Sequence, residues 1–220
     1  MSLARIAVLG GSFNPVHYGH LLLADDVLER LGLARVLFVP AAVPPHKPAA
    51  QLAPAADRLE MVRVAIAGHP RFAVSDLELR RTGLSYTVDT LQALATGGDT
   101  LFLVIGSETF LDLLAWREPR RVASLARLVV IPRAGSAFDP ESAAAQKVLR
   151  EIGVEGGFVH VGAGHEVPGR GVLIVHAASL PLSASELRQR VREGRSLAFR
   201  MPPAVIEYIR TRGLYRANPE

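Results

Sequence analysis

The chain has 220 residues, of which 49% are hydrophobic and 21% are charged, a balance typical of a globular protein with a sizeable core. This balance argues against disordered and fibrous proteins. The chain contains no cysteine, so disulfide frameworks and thiolate metal or redox sites are excluded. The net charge is +4, from 25 basic and 21 acidic residues, and Lys47 and Lys147 are the only lysines.

The basic residues are scattered along the chain, and their densest group is Arg188, Arg190, Arg192 and Arg195. They form neither a basic tail nor a patch interleaved with aromatic residues, so we expect no nucleic acid partner. The preference for arginine has two explanations. It reflects genome composition, or it serves phosphate recognition, because guanidinium groups make forked contacts with phosphate oxygens. A small phosphorylated ligand is the better hypothesis.

The N-terminus leads directly into a strand-like apolar segment, without the basic stretch, long apolar run and cleavage site of a secretion signal. The longest apolar runs are far shorter than the roughly 20 residues that a membrane-spanning helix needs. We therefore expect a cytoplasmic protein with no membrane partner.

Short apolar runs rich in β-branched residues predict six strands, at 5–10, 35–40, 72–75, 100–105, 127–131 and 172–176. Segments with helical periodicity lie between most of them, and they predict helices from near His20, from Asp57 to near Gly68, from near Thr87, and over 108–115. Strands that alternate with helices predict an α/β fold with a doubly wound, mostly parallel sheet.

The segment 135–171 is rich in glycine and alanine, and it is interpreted as an insertion or connecting region with a helix that opens at Asp139 and runs towards Ile152. Two helices are predicted to close the chain, over 183–193 and 203–212, each followed by a glycine. The sequence shows no internal repeat. It predicts a single domain over 1–220.

The most informative segment, 9–21, reads LGGSFNPVHYGHL and joins the first predicted strand to the first predicted helix. Glycines at the end of the strand let the backbone approach a ligand, and the exposed amides of the helix start favour an anion. The segment contains neither the G-x-G-x-x-G dinucleotide fingerprint nor the G-K-S/T ending of a phosphate-binding loop.

His17 and His20 allow three interpretations at this point. Their spacing suits zinc, but the sequence offers no third ligand and a helix N-terminus disfavours a cation. A purely structural pair is the second interpretation. The third, which we favour, is that both imidazoles donate hydrogen bonds to phosphoryl oxygens.

The segment GGSFNPVHYGH at 10–20 resembles the H-x-G-H signature of the nucleotidyltransferase superfamily, and its full form is similar to bacterial nicotinate-nucleotide adenylyltransferases. Further motifs resemble that family in the same order. They are VPPHK at 43–47, SYTVDTL at 85–91, IGSE at 105–108, LSASELR at 182–188, and the ending YI…GLYR at 208–216. The resemblance covers nearly the whole chain except 135–171.

The resemblance implies transfer of the adenylyl group of ATP to nicotinate mononucleotide, which gives deamido-NAD and pyrophosphate in NAD biosynthesis. It also implies Mg²⁺, bound mainly by ATP phosphates and water. The nearest alternative is the same chemistry on nicotinamide mononucleotide or phosphopantetheine. A non-catalytic nucleotide-binding module is the alternative from another class.

The resemblance also implies site residues, and no metal ligand among them. The catalytic residues would be His17, His20 and Arg188. The ATP-binding residues would be Gly10, Gly11, Ser12, Phe13, Gly19, Gly106, Glu108, Ser183 and Ser185. The substrate-binding residues would be Asn14, His46, Lys47, Thr87, Trp116 and Arg117. Two of these depart from the family: Glu108 stands where Asp is usual, and Arg117 stands where a second aromatic residue is common.

Overall fold

The computed structural model describes residues 3–132, 138–162, 167 and 169–216. Within those residues, seven strands pair into one sheet, and every neighbouring pair is parallel. The strands are β1 (Arg5–Gly11), β2 (Arg35–Pro40), β3 (Phe72–Val74), β4 (Thr100–Gly106), β5 (Arg127–Ile131), β6 (Phe158–Val161) and β7 (Val172–Val175). Their order is β3-β2-β1-β4-β5-β7-β6, so the predicted doubly wound sheet is confirmed.

Helices connect the strands on both faces of the sheet. They are α1 (Tyr18–Arg30), α2 (Ala55–Ile66), α3 (Leu77–Arg80), α4 (Thr87–Ala95), α5 (Ser107–Leu111), α6 (Pro119–Leu125), α7 (Ala143–Ile152), α8 (Ala184–Arg192) and α9 (Pro203–Thr211). Short 3₁₀ turns lie at Ala49–Gln51 and Leu113–Ala115. No helix in the described ranges is both long enough and apolar enough to cross a membrane.

The middle residues of the central strands are apolar because both faces of these strands are buried. On β1, Ala7 and Leu9 pack into one core, whereas Ile6 and Val8 pack into the other. Helices α1, α2, α8 and α9 supply apolar side chains to the first core, and α4 to α7 supply them to the second. This is the period-2 arrangement expected of a parallel sheet covered by helices on both faces.

The order of the strands reverses at the centre of the sheet. β1 pairs with β2 on one side and with β4 on the other, so the loops that follow β1 and β4 leave the sheet at its carboxyl edge in opposite directions. A crevice at such a reversal is where open α/β sheets bind ligands. We therefore expect the ligand site at the loops that follow Gly11 and Gly106.

The structure differs from the predicted elements in the glycine- and alanine-rich segment 135–171. Part of this segment lies outside the described residues. The predicted helix is present as α7 and ends at Ile152, but it begins at Ala143 after the Ser142 cap and not at Asp139. The edge strand β6, which pairs with β7, was not predicted. The segment thus contributes to the sheet as well as connecting it. Sequence periodicity did not predict β6, because only four residues, FVHV, form the strand and a polar histidine interrupts its apolar run.

Two predicted helices also differ in detail. Asp57 does not open α2, because the helix begins at Ala55 directly after Pro54. The buried Asp57 carboxylate instead accepts hydrogen bonds from Tyr208 Oη and Arg212 Nε, at 2.8 and 3.1 Å. The helix predicted over 108–115 is divided into α5 and a 3₁₀ turn, a tightening that is common at helix ends.

Candidate active site

Close packing of the Phe13 side chain shapes the loop after β1. Phe13 has a positive φ of 44° and is buried against the rings of Phe38 and His20. Its ring would lie 3.2 Å from a Cβ atom at Gly11, so a larger residue there would press on the Phe13 ring and require it to shift by a few tenths of an ångström. Gly11 therefore lets the Phe13 ring pack closely against the end of β1.

Asn14 ties this loop to the rest of the molecule. Its amide nitrogen donates to the Gln51 carbonyl oxygen at 2.9 Å, and its Oδ1 accepts from the backbone of Ala53 at 3.0 Å and from the hydroxyl of Tyr215 at 2.9 Å. Asn14 is 2% exposed. Because its side chain is engaged by protein groups, Asn14 holds the loop here, and its contact with substrate stays a prediction.

His17 and His20 lie together at the start of α1. The residue before the helix is His17, and its backbone N–H donates to Nδ1 of His20 at 3.3 Å. The two ring centroids are 3.9 Å apart. The rings are tilted by 37° to each other, and a Cβ atom at Gly19 would lie 3.0 Å from Nδ1 of His17, so a larger residue there would press on the His17 ring.

Both imidazoles are neutral at pH 7. Burial lowers the pKa of His17 to about 4. Burial lowers the pKa of His20 to about 3, and the charge of Lys47 and that of His17 when it is protonated in acid add to this effect. Since Nδ1 of His20 accepts a hydrogen bond, the neutral ring carries its proton on Nε2 and can donate from there. Nδ1 of His17 is buried without a hydrogen-bond partner among the described residues.

The loop after β2 brings a lysine to the same place. Nζ of Lys47 donates to Oγ of Ser12 at 2.9 Å, so the VPPHK loop and the first loop meet. Burial, and then the charges of Arg188 and Arg58, lower the pKa of the Lys47 ammonium. The neighbouring His46 is exposed in the same turn. Lys47, predicted to bind substrate, thus contacts Ser12, predicted to bind ATP.

Arg188 approaches from the opposite direction, on α8. Its Nη1 donates to the backbone oxygen of Asn14 at 2.8 Å, which places the guanidinium beside the first loop. Ser183 is the N-cap of α8, and its Oγ accepts from the backbone of Glu186 and lies 3.2 Å from Oγ of Ser185. The predicted helix start is confirmed, and its amides and hydroxyls are on the segment that carries Arg188.

The second side of the crevice begins where β4 ends. Gly106 precedes α5, and Glu108 is an exposed residue in the first turn of that short helix. Two hydrogen bonds fix the 85–91 motif to the VPPHK loop. The backbone N–H of Ser85 donates to the carbonyl oxygen of Val43, and the backbone N–H of Val43 donates to Oγ of Ser85. The predicted motifs at 43–47, 85–91 and 105–108 therefore share one edge of the sheet.

Of the predicted substrate-binding residues, Arg117 contacts Tyr86, the residue that precedes Thr87 in the chain. Thr87 is the first residue of α4, and Trp116 packs partly buried against the same core as Tyr86. The guanidinium of Arg117 lies 4.9 Å from the centroid of the Tyr86 ring. Its nitrogens are 3.8 Å from the Asp89 carboxylate and 3.6 Å from that of Glu118. Arg117 thus stacks on Tyr86, a residue that sequence reasoning did not select.

Comparison with known proteins gives the same assignment from the whole chain. Residues 8–190 match the Cytidylyltransferase-like family. The chain is 40% identical over 218 residues to a probable nicotinate-nucleotide adenylyltransferase of Roseiflexus sp. (strain RS-1), covering 98% of this chain and 100% of the relative. It is 43% identical to one from Synechococcus sp. (strain JA-3-3Ab), with 96% and 94% covered. The chain belongs to the nicotinate-nucleotide adenylyltransferase family.

A solved structure supports the fold of this family member. A Plasmodium falciparum nicotinic acid mononucleotide adenylyltransferase complexed with NaAD matches at a TM-score of 0.70, with 20% identity, over 96% of this chain and 97% of that one. At this identity the likeness establishes the fold alone.

Arg58 is another residue beside this adenylyltransferase-family site that sequence reasoning missed. It is 1% exposed and donates to backbone carbonyl oxygens on both loops. Only the periodicity of α2 could have indicated it, because an arginine on the buried face of an amphipathic helix needs internal partners. The sequence contains that signal, but the signal does not specify which carbonyl groups the arginine meets.

Proposed function

We propose that this protein transfers the adenylyl group of ATP to nicotinate mononucleotide, forming deamido-NAD and releasing pyrophosphate. The observation that carries the proposal is the convergence of His20, Lys47 and Arg188 on the loop after β1, at the point where the strand order reverses. Lys47 and Arg188 are cations that donate hydrogen bonds to this loop, and the neutral His20 ring, which accepts at Nδ1, can donate from Nε2. Such a set suits the charge that develops on a phosphoryl group.

The reaction needs no covalent intermediate with the enzyme. A phosphate oxygen of nicotinate mononucleotide forms a bond to the α-phosphorus of ATP, while the bond from that phosphorus to the bridging oxygen of pyrophosphate breaks. Both substrates already carry the reacting groups, so catalysis consists of positioning and charge stabilisation. In this scheme His17 and His20 contact the α-phosphoryl and bridging oxygens, with Nε2 of His20 as a donor.

We assign the remaining roles on the basis of where the side chains lie. Arg188, with Ser183 and Ser185, binds the outgoing β- and γ-phosphates from the start of α8. Lys47 and Ser12 form one subsite, which we assign to phosphate oxygens between the two substrates. Gly10, Gly11 and Gly19 give the nucleotide close access to the backbone.

Mg²⁺ is the proposed cofactor, and the residues present fit it only as a partner of the nucleotide. Within the described ranges, no group of three or more His, Asp or Glu side chains is placed to hold a metal ion. The donors on the first loop are N–H groups and cations, which bind phosphate oxygens. The ion would therefore be held by the triphosphate and water, where it supplies charge neutralisation.

The proposal is tested by measuring pyrophosphate release from MgATP with each of three acceptors: nicotinate mononucleotide, nicotinamide mononucleotide and phosphopantetheine. We expect release only when an acceptor is present, and the highest kcat/KM with the nicotinate compound. Preference for another acceptor would reassign the substrate. Tight ATP binding without release with any acceptor would indicate a non-catalytic nucleotide-binding module.

Arg188→Lys is expected to raise KM for ATP by about 10- to 100-fold, because a charge-assisted hydrogen bond contributes roughly 1.5 to 3 kcal/mol. Lysine keeps the charge, but one ammonium cannot replace a planar fork that contacts both the Asn14 carbonyl and a phosphate. Steady-state kinetics should show KM for nicotinate mononucleotide changed less than about threefold. The matched control is Arg192→Lys, an exposed position on the same helix. The reverse pattern would exchange the two subsites.

Thr87→Ala is expected to lower the preference for the acid over the amide by about tenfold, since an unmatched hydrogen bond in a closed site costs roughly 1 to 3 kcal/mol. Thr87 stands at the start of α4, where backbone amides and a hydroxyl suit a carboxylate. Trp116→Ala should weaken both mononucleotides alike, because stacking scarcely separates two rings of similar shape.

The measurement for this pair of variants is the ratio of kcat/KM for nicotinate and nicotinamide mononucleotide. Thr87→Ser, which keeps the hydroxyl, serves as the control and should keep the ratio. An unchanged ratio in Thr87→Ala together with a collapsed ratio in Trp116→Ala would mean that the two roles are reversed.

A further inference from the structure

Arg58 is a buried cation behind the phosphate-binding loops. It lies on α2, in neither loop, and only 1% of it is exposed to solvent. Burial lowers the pKa of its guanidinium, and the charges of Tyr215 and Glu78 oppose that shift. A charged group in such a place is destabilising unless its donors are hydrogen-bonded, so its partners define what it does.

The partners of Arg58 are four backbone carbonyl oxygens. Its Nε donates to Ala53 at 2.9 Å, which anchors the side chain close to its own helix. Its Nη1 donates to Ser12 at 2.9 Å and to Ala41 at 2.6 Å, and its Nη2 donates to Ala42 at 3.0 Å. One planar group thereby fixes the loop after β1 relative to the loop after β2.

Ser12 is the point where this connection reaches the proposed chemistry. Its carbonyl oxygen accepts from Arg58, while its hydroxyl accepts from the ammonium of Lys47. Lys47 belongs to the same loop as Ala41 and Ala42, whose carbonyl groups Arg58 also binds. The reach of Lys47 across to Ser12 therefore depends on a loop separation that Arg58 sets.

We propose that Arg58 is a positioning residue for the adenylyl transfer, which acts through Lys47 by holding the Ser12 loop and the 41–47 loop at a fixed separation. This inference rests on the proposed function. A planar fork with several donors can satisfy carbonyl groups from three segments at once, whereas an aliphatic side chain satisfies none of them. Without Arg58, the ammonium of Lys47 loses its fixed position against the reacting phosphates.

The test is a double-mutant cycle with Arg58→Met, Lys47→Met and the double variant, in which kcat/KM is measured per folded enzyme. Each single change should lower kcat/KM by about 10- to 100-fold, the scale of a misplaced reacting group. If Arg58 acts through Lys47, kcat/KM of the double variant should lie within about threefold of that of the less active single variant. A merely structural role would leave the two losses independent, and they would multiply.

Two further variants keep the test decisive. Arg58→Lys retains the charge but not the fork, so it replaces Arg58→Met in the cycle if the methionine variant does not fold. Tyr208→Phe is the matched control for loosening α2, because it removes the hydrogen bond to the adjacent Asp57 without touching either loop. We expect Tyr208→Phe to lower thermal stability while leaving kcat/KM within about threefold of the parent.

Multiplying losses in the cycle, or a loss in Tyr208→Phe as large as that in Arg58→Met, would overturn the inference. The unmodified protein separates this failure from failure of the proposed function. If it releases no pyrophosphate with any acceptor, the proposed function is wrong. If it is active and Lys47→Met is impaired but the losses multiply, only the role of Arg58 is wrong.

Discussion

His20→Ala is expected to lower kcat by about 100- to 1,000-fold, the usual loss when one preorganised donor to a developing phosphoryl charge is removed. KM for ATP should change much less, because the donor acts mainly in the transition state. The structural basis is the hydrogen bond from the backbone of His17 to Nδ1 of His20, which leaves the Nε2 proton available. Single-turnover measurements of pyrophosphate formation would report the loss directly.

The control for His20→Ala is His160→Ala, which removes an exposed imidazole from the edge strand β6. Its activity should match that of the parent. The assignment would be wrong if folded His20→Ala kept activity within a few-fold of the parent.

Acid is expected to destabilise the protein through the same histidine pair. The pKa of His17 falls from an ordinary 6.5 to about 4 on folding, so between these values the unfolded chain binds more protons than the folded one. Stability linked to His17 is therefore present above pH 6.5 and is lost as the pH falls towards 4. Between pH 7 and pH 5 this loss amounts to about 2 kcal/mol.

The measurement is the free energy of unfolding by denaturant at pH 7 and at pH 5. In His17→Gln the decrease should be smaller than in the parent by about 2 kcal/mol, because glutamine has no proton to bind. His160→Gln is the exposed control and should follow the parent. An equal decrease in His17→Gln and the parent would show that burial of His17 does not perturb its titration.

Sequence periodicity was sufficient for the central part of this fold and insufficient at its edge. β1 and β4 each contain a continuous buried apolar run, Ile6–Leu9 and Leu101–Ile105, because both of their faces are covered, and such runs are easy to predict. β6 has four residues and one exposed histidine, so its pairing with β7 is decided by tertiary contacts that short-range patterns do not contain.

For the candidate site too, the sequence was sufficient to predict some features and insufficient for others. The resemblance to family signatures indicated the segments that carry His17, His20 and Arg188, and the structure has His17 directly before α1, His20 in α1 and Arg188 in α8. The resemblance could not predict that Arg117 stacks on Tyr86, because that contact joins two segments through packing. Nor could it predict that Asn14 is engaged by Tyr215, whose hydroxyl is 201 residues away in sequence.

The attachment of Asn14 has a consequence for the order in which a newly synthesised chain becomes active. Asn14 leaves the ribosome early, but its partners Arg188 and Tyr215 follow it by 174 and 201 residues. The strands can pair as they emerge, whereas the loop after β1 obtains these two contacts only when α8 and the segment beyond α9 have been made. Nascent chains halted before Tyr215 would thus carry the signature histidines on a loop that is not yet held in place.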